Sequence, residues 1–536
     1  MARKKLRDIR AYLGYAAGLP SFLRRGLSRE EAEGIVRCGM EQREANFLRL
    51  VRLGVFGRNE SPYSKLLKLV DCHYADLESS IRRRGLLPTL RRLREEGVYF
   101  TFDELKGRCP VERHGQSFLV TSGDFVNPFL RRAYQTETGG STGRSTRVAQ
   151  DLDHLSIQAA HFLLAFEAHG VLKQPHGLWR GVLPDGSGLN NLLRCSHFGR
   201  PPEKWFTQNN VWDPRLPLRF KLASLGTTAL GRLSGVCLPW PQSVPIDRAE
   251  VVADWMSQTL AAEGSCLLSA PVSRALRVAL AAEKAGRSLE GATFVIAGEP
   301  VTAAKVAGIL RSGARYFTTY GFSEGGRVAL GCANPASPND LHLLSDAFEV
   351  FSHSRTLPQG EQVPVLNFTS LLLTAPMLLL NVEMDDYGMV EERRCGCPLE
   401  GLGYHTHIRE VHSYRKLTGE GVSLVGQDML DILESFLPGR FGGSPLDYQV
   451  METEEEDGFT RLTLLVSPEV DILDESQVIP SLLKALEERS VMAASAVDVW
   501  RQSDSIRLQR TEPVWTDRGK LMPLYLDKLS RRSIRR

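Results

Sequence analysis

Apolar positions recur at helical spacing from the start of the chain to about residue 96. In residues 28–55 they include Ile35, Met40, Phe47 and Val51. Ahead of them stands Ser28-Arg29-Glu30-Glu31, a capping-box pattern in which serine and glutamate satisfy each other's backbone N–H at the first turn. Two further helices are predicted over 64–70 and 86–96. From about Phe118 the period changes, and short apolar runs alternate with helical stretches and glycine-bearing turns. Thr293-Phe294-Val295-Ile296-Ala297-Gly298 reads as a buried strand running into a loop, 302–312 as a helix, and 316–320 as the next strand. Such alternation predicts α/β layers with largely parallel pairing. After about residue 405 the pattern shortens to an α+β stretch: a helix over 428–436, a strand over 460–466 and a helix over 479–489.

With 536 residues, 42% hydrophobic and 24% charged, the chain has material for several cores and a normal globular balance. Its net charge of only +3 gives no whole-chain field that would draw it to nucleic acid or a membrane. The basic runs Ala2-Arg3-Lys4-Lys5 and Arg531-Arg532-Ser533-Ile534-Arg535-Arg536 read as solvated tails. The apolar stretch 11–22 is broken by Gly14, Gly18 and Pro20, unlike a secretory signal, and no window nears the ~20 apolar residues of a membrane span. Nine scattered cysteines, an odd number with one tight pair, predict a reducing compartment and a cytoplasmic protein.

The sharpest local feature is Thr138-Gly139-Gly140-Ser141-Thr142-Gly143-Arg144-Ser145-Thr146-Arg147. Glycines and small hydroxyl residues let backbone N–H groups approach phosphate oxygens. It lacks the Gly-Lys-Ser/Thr ending of a Walker loop, and alone such a stretch is more often a surface turn. Downstream, in order, come Ala297-Gly298-Glu299-Pro300, Thr319-Tyr320-Gly321-Phe322-Ser323-Glu324, Asp385-Asp386-Tyr387-Gly388 and Asp517-Arg518-Gly519-Lys520.

These five elements, in this order, resemble the adenylate-forming superfamily of acyl-CoA synthetases, adenylation domains and luciferases, and most of all its phenylacetate–CoA ligase branch. The likeness runs from about Ser61 to residue 526. It implies an α/β fold: a large N-terminal adenylate-forming domain of layered sheets and helices, with a small mobile α+β C-terminal domain. The division that follows is a helical N-terminal extension (1–60), a large AMP-binding domain (61–406) and a lid (407–536). The implied reaction activates a carboxylic acid with ATP as acyl-AMP, releases pyrophosphate, and passes the acyl group to coenzyme A. A carrier-protein phosphopantetheine or an amine is the alternative acceptor, and a non-catalytic nucleotide-binding protein the alternative class.

By the same resemblance Gly140, Ser141, Thr142, Gly143 and Thr146 wrap the phosphates, with Thr146 where most of the superfamily has lysine. Gly298, Glu299 and Pro300 lie beside the adenine, which Tyr320 and Gly321 contact. Glu324 helps to hold Mg²⁺, Asp386 takes the ribose hydroxyls, and Lys520 bridges the acid and the α-phosphate. Lys520, Glu324 and Thr142 form the implied catalytic set. The Gly-Arg hinge of the family is missing; Arg409, Arg415 and Lys416 are the candidates nearby. Cys395-Gly396-Cys397 has spacing suited to a tetrahedral zinc. Relatives in the branch hold a structural Zn²⁺ with such a pair plus an upstream Cys and His, here Cys332 and His342; the alternative is ordinary turn cysteines. The sequence leaves the acid and the oligomeric state open.

Overall fold

The computed structural model describes residues 2–137, 146–214, 216–299, 301, 303–356, 362–413, 416–419, 422–425, 429, 432–443, 447–455, 459–489, 491–514 and 524–526. Its centre is a twelve-stranded sheet. In chain order the strands are β1 (His176–Trp179), β2 (Lys204–Thr207), β3 (Pro241–Ser243), β4 (Cys266–Pro271), β5 (Ala292–Ala297) and β6 (Arg315–Phe322). They continue as β7 (Gly326–Gly331), β8 (Asp340–Leu343), β9 (Phe348–Thr356), β10 (Gln362–Ser370), β11 (Val382–Glu392) and β12 (Thr406–Ser413). Across the sheet the order is 9-10-11-12-8-7-6-5-4-1-2-3.

The two halves of this sheet differ. Strands β1 to β6 are parallel, in the order 3-2-1-4-5-6. Strands β6 to β12 pair antiparallel throughout. The expected parallel pairing therefore holds for one half only; hairpins, which need no crossover helix, build the other. The β6–β7 hairpin is the joint between them, and its turn carries Ser323, Glu324 and Gly325. In the parallel half the chain builds β1, β2 and β3 outward, then returns to the other side of β1 for β4. Ligands of open α/β sheets bind at such a switch point, outside the carboxyl ends of the strands.

The predicted strand and helix near residue 300 form as β5 and the helix Ala303–Arg311. The capping box at Ser28 is complete: Glu31 N–H donates to Ser28 Oγ at 3.2 Å, and Ser28 N–H to Glu31 Oε2 at 3.0 Å. The helix it starts, Arg29–Glu41, is followed by Arg43–Val51 rather than running on to 55. The basic run at Arg3 lies in a further helix, Ala2–Arg24, and is not a tail. These N-terminal helices join the main core. Val36, Phe47 and Val51 are fully buried in one cluster with Leu330, Phe368 and Val382 of the large sheet. Burial of such side chains contributes roughly 1.5–3 kcal/mol each, so this segment is part of the large domain's stability.

A second sheet of four strands follows: β13 (Tyr448–Glu454), β14 (Thr460–Val466), β15 (Ile506–Arg510) and β16 (Leu524–Leu526), in the order 15-14-13-16. It has its own core with the helices Val478–Glu487 and Val491–Ser503, centred on Tyr448, Leu464, Leu482 and Trp500. The sequence division at 406 and 407 cuts β12, which belongs to the large sheet; the change of sheet comes after Ser413. Arg409, a hinge candidate, lies within β12 and pairs with Glu391 at 2.7 Å. Arg415 lies outside the described residues. Among the described residues no helix is long and apolar enough to cross a membrane.

Candidate active site

A cleft of about 410 Å³ opens at the carboxyl ends of the parallel strands. Five of the six strand ends deliver residues to it: Arg180 after β1, Gln208 after β2, Pro271 at the end of β4, Gly298 and Glu299 after β5, and Tyr320 and Gly321 at the end of β6. The β6–β7 turn adds Glu324 and β11 adds Asp386. Distant stretches of sequence thus share one concave surface.

Local geometry explains why these residue types stand here. Gly298 has φ of +87°, in the left-handed region that favours glycine, and nothing fills the space where a Cβ would be. Gly321 sits at an irregularity in the β6–β7 pairing, where a Cβ would lie 2.3 Å from the Gly326 carbonyl oxygen. Asp385 takes φ of +61° and is buried, while its neighbour Asp386 reaches the cleft. That backbone turn decides between the two aspartates of the motif. Tyr320 Oη donates to Asp386 Oδ2 at 2.7 Å, and burial followed by this carboxylate raises the phenol's pKa well above its ordinary value.

Glu324 is buried and meets a group that sequence reading missed. Lys106, at the end of the helix Phe102–Lys106, donates from Nζ to Glu324 Oε1 at 2.5 Å and to Thr146 Oγ1 at 3.1 Å. The resemblance read from the sequence expected a lysine where Thr146 stands, and here a cation carried by another part of the chain lies beside that threonine. No spacing rule links residue 106 to 146 and 324. Thr136, Glu137 and Gln150, on the paired strands Ala133–Glu137 and Arg147–Asp151 that flank the glycine-rich segment, also line the cleft. Gly140, Ser141, Thr142 and Gly143 lie outside the described residues, as do Pro300 and Lys520.

Glu299 has structural work besides its place in the wall. Its two carboxylate oxygens accept from Ser273 Oγ at 2.6 and 2.7 Å, and Lys305 Nζ is 3.6 Å away. Lys305 also donates to Thr460 Oγ1 of the small domain at 3.2 Å. This strap joins the exits of β4 and β5 to β14.

Cys332, His342, Cys395 and Cys397 form a separate buried cluster, with one donor atom from each within 4.8 Å of all the others. His342 lies in β8 and Cys332 just beyond β7, so one hairpin brings the upstream pair together. His342 Nδ1–H donates to the Tyr404 carbonyl at 2.8 Å, which leaves the Nε2 lone pair facing Cys397 Sγ at 3.1 Å. Backbone N–H groups of Asn334 and Cys397 point at Cys332 and Cys395 sulfurs at 3.3 and 3.5 Å. Glu400 holds the Cys395–Cys397 turn by accepting from the Cys395 and Gly396 N–H groups, both at 2.7 Å. The hydrogen bond with Cys332 pulls the Cys397 thiol down, while burial raises Cys395. Three sulfurs and one imidazole, with the tautomer fixed, suit tetrahedral Zn²⁺.

The chain matches no protein-family model, and no curated protein matches it. Solved structures do match. 2-Hydroxyisobutyryl-CoA ligase, in complex with 2-HIB-AMP and CoA in the thioesterification state, superposes with a TM-score of 0.54 at 14% identity, over 92% of this chain and 91% of that one. The fold is that of the adenylate-forming acyl-CoA ligases. A malonyl-CoA ligase with methylmalonyl-CoA and AMP bound gives 0.42 at 11% identity, over 71% of both chains. The amide bond synthetase McbA from Marinactinospora thermotolerans gives 0.40 at 13%, over 73% of this chain and 67% of its own. Only the first of these TM-scores exceeds one half. In this acyl-CoA ligase fold, the cleft at the carboxyl ends of the parallel strands is the candidate active site.

Proposed function

We propose that this chain activates a carboxylic acid with ATP, as in the phenylacetate–CoA ligase branch, and then transfers the acyl group to coenzyme A in the cytoplasm. The observation that carries the reading is the convergence of Tyr320, Asp386, Glu324 and the Lys106–Thr146 pair on one cleft at the strand ends. The acyl-AMP and CoA bound in the 2-hydroxyisobutyryl-CoA ligase structure support it.

In this reading adenine lies against Tyr320, Gly321 and Gly298, and Asp386 exchanges its bond from the Tyr320 hydroxyl for the ribose hydroxyls. Gly140 to Thr146 hold the phosphates. A carboxylate oxygen of the acid attacks the α-phosphorus, the bond from that phosphorus to the bridging oxygen breaks, and pyrophosphate leaves. Lys520 neutralises the charge that develops between acid and phosphate. Attack of the CoA thiol on the acyl carbon then expels AMP, and the thiol proton passes to solvent.

The donors near Glu324 fit Mg²⁺. A carboxylate and the Thr146 hydroxyl are both oxygen ligands, and Mg²⁺ in nucleotide sites takes one or two carboxylates together with substrate phosphates. When bound, the ion supplies charge neutralisation on the phosphates. Lys106 orients Glu324 and adds a second cation on the same wall. The four-residue Cys/His cluster we assign to a structural Zn²⁺, with no part in the chemistry.

Acid-dependent exchange of labelled pyrophosphate into ATP tests the reading. Activity should depend on a carboxylic acid, and Glu324→Gln and Asp386→Asn should each lower it by about a hundredfold, the scale of a lost transition-state contact. Exchange that persists near the wild-type rate in both variants would overturn the assignment. Thioester formation on adding CoA, followed by mass spectrometry, separates a CoA ligase from one that uses another acceptor.

A further inference from the structure

The switch point between β1 and β4 is ringed by guanidinium groups. Arg180 follows β1, Arg194 lies in the helix Ser187–His197, Arg274 in the first turn of the helix Val272–Lys284, and Arg327 in β7; all four line the cleft. Arg180 is 7% exposed and Arg194 2%. The hydrogen bonds of Arg180, Arg194 and Arg327 go to neutral acceptors. Arg180 Nη2 donates to the Ala270 carbonyl at 2.8 Å, Arg194 Nη1 to Gln158 Oε1 at 2.6 Å, and Arg327 Nη1 to Thr319 Oγ1 at 2.9 Å. Arg194 and Arg327 also face the same ring, Phe162, at 4.4 and 5.6 Å.

The carboxylates of the cleft are engaged elsewhere. Glu324 meets Lys106, Glu137 meets Arg147 and Arg219, Glu299 meets Ser273 and Lys305, and Asp386 accepts from Tyr320. The charges of Asp185 and Glu299 reach Arg180 without a contact ion pair, and Asp185 accepts from the Ser187 N–H and hydroxyl. Among the described residues, none of Arg180, Arg194 and Arg327 makes an ion pair with a carboxylate, and the Nε of each is buried without a hydrogen-bond partner. Burial and mutual repulsion push Arg180 down to about 10 and burial alone does the same to Arg194; Arg327 falls well below its ordinary value by burial and by the charges of Arg194 and Arg180. Desolvated like charges of this kind are costly until a ligand supplies the opposite charge.

The nucleotide reading does not use these charges. Its residues lie on β5, β6 and β11 and beside Lys106, whereas Arg180 and Arg194 lie at β1 and the helix after it. The reacting carboxylate needs one cation, and Lys520 is assigned to it. We propose that the acid carries a second anionic group, making it a dicarboxylic acid, and that Arg180, Arg194 and Arg327 hold the carboxylate that does not react. This rests on the acid-activating reading above. The second carboxylate stays ionised throughout; only the first bonds to the α-phosphorus.

The test uses the full chain and matched acids of equal length: butanoate against succinate, hexanoate against adipate, benzoate against terephthalate. In pyrophosphate exchange, at least one diacid should exceed its monoacid partner in kcat/KM by about tenfold or more, the discrimination of a charge-assisted hydrogen bond. Arg180→Met should raise the KM for that diacid by a similar factor and leave the KM for ATP within about threefold. Arg180→Lys, which keeps the charge, should restore part of the preference and controls for misfolding. Equal use of monoacids, or an Arg180→Met defect confined to the KM for ATP, would overturn the proposal. Calorimetric titration of the same diacids keeps the two readings apart. Diacid binding that Arg180→Met abolishes, without exchange, keeps the anion site and sinks acid activation; no diacid binding to the wild type sinks the site itself.

Discussion

The Lys106–Glu324 pair is the buried ion pair at the end of the cleft that we assign to the phosphates. Both side chains are less than a tenth exposed, at 8% and 5%, so each charge gains much of its compensation from the other. Removing one partner of a buried pair typically costs about 3–5 kcal/mol, because the other is left unpaired. Lys106→Met and Glu324→Gln should therefore each lower the free energy of unfolding by an amount in that range, and the double variant should lose less than the sum of the two. Urea denaturation of the three variants measures this, and additive losses would show that the two groups do not depend on each other. In the full reaction Lys106→Met should cost activity well beyond its stability effect, since the group also touches Thr146. Nothing in the sequence pointed to Lys106. A lone lysine at the end of a five-residue helix looks like any solvated charge, and only the fold brings it to Glu324. Asp386, by contrast, stands in a motif that the sequence displays, and the fold places it on the cleft wall while the left-handed Asp385 beside it is not among the lining residues.

At the scale of elements, the cysteine–histidine cluster is a staple. It joins the β7–β8 connection, through Cys332 and His342, to the turn at 395–397 that precedes β12. Spacing in the sequence argued weakly for this set. Register closes it: β8 and β12 pair with His342 opposite His407, which puts the hairpin beside the cysteine turn. His407 is itself buried and donates to Asp340 Oδ1 at 2.6 Å, and with Asp340 and Cys332 it forms a second group of donors that shares one sulfur with this cluster. Purified protein should carry about one zinc per chain. Chelation, or Cys397→Ser, should lower the melting temperature by several degrees and leave the KM for ATP close to wild type. Loss of ATP affinity in parallel with zinc would contradict a purely structural role. The same logic governs the large sheet. Alternation of strand and helix read correctly for β5, β6 and the helix between them, but hairpin strands such as β9 and β10 carry no crossover helix. The antiparallel half was therefore invisible to a pattern that counts alternation.

Taken as a whole, the proposed chemistry draws on residues of two cores. Tyr320, Asp386, Glu324, Lys106 and the four arginines all belong to the portion that ends at Ser413, while Lys520 lies in the sequence of the small domain. Among the described residues the contacts that join the two are polar and apolar: Asn209 Nδ2 donates to Ser495 Oγ at 3.0 Å, Ile246 N–H to Gln502 Oε1 at 3.0 Å and Lys305 to Thr460, while Ile246 is buried in the small core and Phe459 in that of the parallel strands. The first helices do not form a separable extension, because Tyr15, Leu19 and Phe22 pack with Leu178 and Trp205 of β1 and β2. A chain cut after Ser413 therefore keeps every residue assigned to the adenine, the ribose and the magnesium, together with the helices that support them. It should bind a fluorescent ATP analogue within about tenfold of the full chain, and its acid-dependent pyrophosphate exchange should fall by about a hundredfold or more, because the cation that completes the transition state is gone. Equilibrium titration and exchange assays on the same preparation, with circular dichroism to establish folding, measure both halves of the expectation. A folded fragment that retained exchange would remove Lys520 from the chemistry. One that lost nucleotide binding would show that the large domain does not hold ATP on its own, and that the small domain completes the binding site as well as the reaction.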